Sequence, residues 1–466
     1  MLFNSLHFLI FLPIVVLLYY ALPQRFRWML IFVASCYFYM AFVPYYILIL
    51  FFIILVDYLS AIAIEASAGK KRRIFLILSL LSNILLLCFF KYFNFLNENI
   101  QQCFSLFGAE FHPINLSIVL PIGLSFHTFQ SMSYTIEVYK GRQKAERHLG
   151  YFANYVLFFP QMVAGPIERY EGLGNELKKV QAPLYRNFSD GFRLILFGLF
   201  IKMCVADNIA PYVNSVYADP ESHSPFSVWM SVFLFSFQIY ADFYGYSTIA
   251  LGSALLLGVR IIDNFRSPYL SASIGEFWSR WHISLSTWFR DYLYIPLGGN
   301  RVALPRWAVN TMIVFMVSGL WHGASWTFVA WGALHGLLLL GERFFKPLIS
   351  VDKVGTVLRH LLVIKTFVLT SLIWIFFRAE NFEKAEAVFR ALTAFNTGLF
   401  NSTTYYLAAG SASLLLLGDV WLKGARMDQK LSAQPLVIRW TLYTGLIFGL
   451  LAFAGTEKFA FIYFQF

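Results

Sequence analysis

Long apolar runs, broken by short polar stretches, organise the whole chain. Runs at 6–23, 28–42, 45–64, 74–93 and 116–137 open it, and runs at 191–215, 226–258, 308–320, 325–342, 361–378, 403–422 and 440–456 continue it. Most approach the roughly 20 residues that an α-helix needs to cross a bilayer core. The runs are continuous and do not alternate, which argues against a membrane β-barrel. The pattern predicts an all-α polytopic membrane protein with about eleven to twelve transmembrane helices. The stretch from Tyr151 to Pro166 is broken by Pro160 and by Gly165-Pro166. It predicts a re-entrant segment. Between 259 and 307 the pattern changes: Phe277, Trp281, Leu285, Trp288 and Tyr292 recur at three- and four-residue steps. That spacing predicts one amphipathic helix, ended by Pro296 and Gly298-Gly299.

The polar stretches carry topology. Arg25 and Arg27 follow the first run, Lys70-Lys71-Arg72-Arg73 the third, and Lys140, Arg142, Lys144 and Arg147 the fifth. The intervening loops are almost free of Lys and Arg, so the positive-inside rule puts the N-terminus outside. Arg343, Lys346, Lys353 and Arg359 mark a later cytoplasmic loop by the same argument.

Composition narrows the class. The 466 residues are 59% hydrophobic and 13% charged, with mean hydropathy +0.63. That excludes an ordinary soluble domain. The net charge of +11 sits in short loops, so it reads as topology control and membrane-lipid contact, with no nucleic-acid partner. Cys36, Cys88, Cys103 and Cys204 form no CxxC pair. Met1 to Leu22 has no basic leader, so it reads as a first membrane helix. No repeat or long linker divides 1–466, which predicts a single membrane-embedded domain.

One imidazole stands out. His322 lies in Gly319-Leu320-Trp321-His322-Gly323-Ala324. The apolar stretch before it, Ala308 to Leu320, reaches only about 20 Å against about 30 Å for a bilayer core. This places His322 at membrane depth, where ionisable groups are functional-site candidates. Gly319, Gly323 and Ala324 remove bulk around it, which would let a substrate approach, while Trp321, Trp326 and Trp331 would wall it. His127 and His335 read as satisfied bundle histidines. His282, beside Arg280 and Trp281, reads either as interfacial or as a second polar group of a tunnel. Asp242, inside a span, must face the bundle or a wet cavity. There is no HExxH, so no metal is expected, and neither GxSxG nor a P-loop is present. Arg280, Arg290, Arg301 and Arg306 suit lipid head groups or a phosphorylated acyl carrier such as coenzyme A.

The run Phe277-Trp278-Ser279-Arg280-Trp281-His282-Ile283-Ser284, continuing to Arg290-Asp291-Tyr292 and Pro296-Leu297-Gly298-Gly299-Asn300-Arg301, resembles the signature of membrane-bound O-acyltransferases (MBOAT). Gly319-Leu320-Trp321-His322-Gly323 is similar to that family's second histidine motif. Further similarity lies in Phe159-Pro160-Gln161, Ala164-Gly165-Pro166, Asp242-Phe243 and Phe376-Phe377-Arg378. The alginate O-acetylation (AlgI-like) branch is the nearest likeness. The resemblance implies acetyl transfer from cytoplasmic acetyl-CoA, with no permanently bound cofactor, towards an extracytoplasmic polysaccharide across a bacterial cytoplasmic membrane. It also implies a separate extracytoplasmic acetyltransferase as partner. A lipid or peptidoglycan acceptor, or a transporter, are the competing readings. By that resemblance His322 carries over as the catalytic histidine and His282 as the other motif histidine of the catalytic pair. The residues around them give a further expectation: Arg280, Arg290, Asp242 and Trp321 bind substrate, the two arginines with His282 orienting the donor and Asp242 pairing with one of these groups.

Overall fold

The computed structural model describes residues 1–466 except 110–111, 113, 118, 164, 346–354, 396, 455–458, 460 and 465–466. Ala164, Lys346 and Lys353 therefore lie outside the described residues. Helices follow the apolar runs closely, because an apolar solvent forces each segment to satisfy its own backbone polar groups. Among the described residues, eight helices are long and apolar enough to cross a membrane. Leu6–Ala21, Gln24–Met40, Leu124–Tyr139 and Leu304–His322 are further apolar or mixed helices at sequence-predicted spans. The last predicted span of the first five starts late: its helix begins only at Leu124, and the described residues just before it, 119–123, are not helical.

Contacts group the chain into two compact units: Met1–Phe188 with Ser253–Ile262, and Ser189–Gly252 with Asp263–Phe466. In the first, three helices meet around a buried carboxylate. Asp57 accepts from Ser79 Oγ at 2.6 Å, from Asn83 Nδ2 at 2.9 Å, and from Ser131 Oγ. An unpaired carboxylate at that depth is costly, and four donor contacts make it a cross-link between helices. The broken stretch opens with a short helix, Leu149–Leu157, followed by turns at 159–163.

The second unit holds the sequence-predicted site. Its centre is the antiparallel pair Leu304–His322 and Trp326–Phe345. The two backbones touch. A Cβ on Gly319 would lie 2.1 Å from the Phe328 carbonyl oxygen, and one on Gly332 would lie 2.1 Å from that of Phe315. A Cβ on Gly323 would fall 2.0 Å from the Phe328 ring. Gly319 and Gly323 therefore make room for a neighbouring helix, which corrects the expectation that they open space for substrate. The length argument changes too. The helix runs 19 residues, about 28 Å, nearly a full bilayer core. Packing, more than a short approach, withdraws His322 from solvent: it is 5% exposed.

The predicted helix through Phe277 and Tyr292 is broken. Ile274–Arg280 and Ile283–Phe289 are separate helices, and a π-helical turn, Arg290–Tyr294, follows. The break falls at His282, whose φ of 42° is left-handed. Three- and four-residue spacing cannot reveal such a turn, since both flanking pieces keep the helical period. Gly298 and Gly299, with φ of 112° and 55°, end the segment as expected.

The helix contact sets a test. Gly332→Ala should destabilise the second unit by about 3 kcal/mol or more, because rigid backbone must move to admit the methyl group. Gly341→Ala, whose Cβ meets nothing within 4 Å, should be neutral. Thermal unfolding of both variants in detergent checks the contrast, and equal Tm values would contradict the close approach.

Candidate functional site

Three helices build an aromatic chamber around His322. Its ring lies 5.0 Å from that of Trp321, 5.1 Å from Trp331, 5.3 Å from Phe377 and 5.7 Å from Tyr463. Trp331 is one residue from the close approach at Gly332, so the glycine contact sets the distance between Trp331 and the imidazole. Phe377 comes from the last turn of Thr356–Arg378. Tyr463 comes from a C-terminal strap whose turn spans Ile462–Phe464.

Trp321 also reaches the second predicted histidine. His282 lies 6.3 Å from it and 4.8 Å from Phe243, with its side chain fully buried. The structure thus gathers His282, Trp321 and His322 in one region. The turn at His282 is held from outside the helices: Ile283 N donates to Asn264 O at 3.0 Å, and Ser284 N to Asn264 Oδ1 at 3.3 Å. Arg266 N donates to Arg280 O at 3.0 Å on the other side of the break. Burial pushes the His282 imidazole down to about 3, so it is neutral near pH 7.

The arginines separate. Arg280 is engaged by Glu276 at 2.6 Å, one turn back on its own helix. Arg290 is exposed, pairs with Asp291 at 2.8 Å, and lines a cavity of about 440 Å³. That cavity runs along one face of Leu304–His322, touching Trp307, Thr311, Val314, Phe315 and Ser318. These positions step along the helix by three and four, and His322 continues the series one turn beyond Ser318, about 6 Å further. The lining is mostly apolar with Arg290 and Asn300 among its members. Such a cavity suits a long thin ligand with an anionic end.

Asp242 has different neighbours from those expected. Its partners are Lys202 Nζ at 2.7 Å and the Ile462 N–H, donating at 2.6 Å. Lys202 also meets Asp207 at 2.7 Å. Sequence reasoning passed over Lys202, although a lysine inside an apolar run is itself a signal. The strap bearing Tyr463 gave no periodic or charge signal at all. His127 is only partly satisfied: its Nδ1 lies 2.9 Å from Val156 O, while its Nε2 is buried with no hydrogen bond among the described residues. His335 departs from the expectation of a satisfied histidine: it is buried among Phe277, Trp278 and Trp331, and neither ring nitrogen has a hydrogen bond among the described residues.

Comparison with known proteins adds independent findings. Residues 71–378 match the family model described as MBOAT, membrane-bound O-acyltransferase family. The chain is 37% identical over 401 residues to the probable alginate O-acetylase AlgI of Pseudomonas aeruginosa, covering 85% of this chain and 76% of that protein. It is 35% identical over 430 residues to the peptidoglycan O-acetyltransferase of Helicobacter pylori, covering 85% and 80%. A teichoic acid D-alanyltransferase of Streptococcus thermophilus is 29% identical over 246 residues, 50% of this chain and 59% of that one.

The buried ring of His282 makes a pH prediction. The unfolded ring takes a proton near pH 6.5, while the folded ring refuses one until about 3. Its contribution to stability is therefore present above about pH 6.5 and lost as pH falls. His282→Asn keeps a residue that tolerates the left-handed turn and removes the titration. Relative to this variant, the native protein should lose Tm between pH 7.5 and 5. Parallel Tm curves would mean the ring is solvated.

Proposed function

Because the chain belongs to the membrane-bound O-acyltransferase family, we propose that it moves acetyl from cytoplasmic acetyl-CoA to a hydroxyl destined for an extracytoplasmic polysaccharide. The observation that carries this reading is the 440 Å³ cavity that follows one helix face to within a turn of His322. Its apolar length suits the pantetheine arm, and Arg290 at its lining suits phosphate. The reading takes the N-terminus as outside and the donor as inside a bacterial cytoplasmic membrane, and the basic loops that alternate with loops poor in Lys and Arg support that orientation.

In this reading the acceptor O–H gives its proton to the neutral His322 imidazole as its oxygen attacks the thioester carbonyl. The C–S bond breaks, and the leaving thiolate takes the proton back from the imidazolium. A positioned base contributes about 10²–10⁴-fold. Trp321, Trp331 and Phe377 keep water from the reacting atoms, which strengthens every dipole aimed at the developing oxyanion. His282 fixes the floor of the chamber through Trp321, and Arg280 reaches the donor by exchanging Glu276 for phosphate. The hydroxyl acylated at His322 is an intermediate carrier, from which a separate extracytoplasmic acetyltransferase passes the acetyl to alginate or a similar cell-surface polymer. A second reading, with peptidoglycan as acceptor, is favoured by the Helicobacter pylori relative.

His322→Ala should lower alkali-labile polymer acetyl by at least about 100-fold at unchanged protein level. Undiminished acetylation would reject the base. Ser318→Trp should block the cavity one turn below His322 and raise the donor KM, or abolish turnover, while leaving Tm near native. A normal donor KM in a folded Ser318→Trp protein would remove this cavity as the donor path.

A further inference from the structure

We infer that Lys202 and Asp242, with Asp207, form a latch that seats the C-terminal strap over His322, making them positioning residues for the acyl transfer proposed above. Four observations join. Lys202 lies within a π-helical segment, Ile201–Ala206, and its ammonium is 2.7 Å from a carboxylate oxygen on each of Asp207 and Asp242. The same two residues grip strap backbone. Lys202 Nζ donates to Phe459 O at 3.3 Å, and Asp242 Oδ2 accepts from Ile462 N at 2.6 Å. The next residue, Tyr463, packs its ring 5.7 Å from His322, 4.7 Å from Phe243 and 6.1 Å from Phe377. Finally, Arg378 borders the same small cavity as the triad, where its guanidinium donates to Asn214 Oδ1 at 3.0 Å.

The physical logic follows from burial. Lys202 and Asp242 are 1% and 3% exposed. Buried charges hold their partners in one geometry, because any alternative leaves a charge desolvated and unpaired. Main-chain groups of the strap bond directly to that cluster, so the strap is fixed in register without needing specific strap side chains. Register is what matters: a shift of one residue would replace Tyr463 against His322 by Ile462 or Phe464. The strap lies beyond residues 71–378, and its described residues do not line the cavity beside Arg290. Loosening it should therefore change turnover and leave donor binding alone.

The test uses the full chain in nanodiscs with two variants and their combination. Asp242→Leu removes the acceptor and the charge, and Ile462→Pro removes the donor N–H, along with the buried isoleucine side chain, while leaving the charged residues in place. The first readout is hydrogen exchange in peptides over 459–464. The inference expects each variant to exchange there at least tenfold faster than the native protein, with peptides over 304–322 unchanged. The second readout is acetyl transfer, where kcat should fall at least tenfold with donor KM within twofold. The double variant should lose no more than the worse single variant, since both break one link. Where Asp242→Leu does not fold, Ile462→Pro alone decides. Unchanged exchange over 459–464, or fast exchange with native kcat, would overturn the latch. Exchange does not depend on what His322 does, so loss of the latch and loss of the acyl-transfer reading give different results.

Discussion

Everything placed around His322 depends on two helices being able to touch backbone to backbone. Gly319 and Gly332 stand opposite the carbonyls of Phe328 and Phe315 with no space for a methyl group. In a membrane, where lipid tails are as apolar as the side chains, close van der Waals contact of this kind is a main source of helix association. It has a local consequence. Trp331 is carried against the His322 ring by the residue next to it. The aromatic wall is a by-product of the packing that holds the pair together.

A second constraint is the treatment of charge at depth. Asp57 in one unit and the Lys202–Asp207–Asp242 cluster in the other are each enclosed by partners. Neither uses water-facing geometry. Each converts a costly ion into a cross-link between elements distant in sequence, Asp57 joining residues 79, 83 and 131. The second cluster ties the middle of the chain to its last residues. Membrane proteins have few ways to specify such long-range pairings by hydrophobicity alone, and buried polar contacts supply them.

The left-handed turn at His282 has a similar character. Two short helices meet at an angle that Asn264 fixes through backbone and side-chain acceptors. One helix would have carried His282 and Trp281 round a common axis. The broken form instead buries both, Trp281 towards Trp374 and His282 towards Phe243 and Trp321. The chain is an integral membrane O-acyltransferase by family, and this break is where its longest motif departs from regular helix.

Much of this was legible in the residues. The apolar runs determined where helices form, because backbone groups in lipid must bond within their own segment and that is a local property. The motif around His322, the isolation of that imidazole and the breakers at Gly298-Gly299 were equally local. What only tertiary structure decided was pairing: that Gly319 and Gly323 serve a helix contact, that Asp242 meets Lys202, and that Tyr463 returns from the end of the chain to the His322 ring. Those facts depend on which surfaces meet, whether the partner lies on the next helix, as for Gly319 and Gly323, or more than 100 residues away, as for Tyr463 and His322. Period and composition describe each segment's own faces and carry no information on which distant face will cover them.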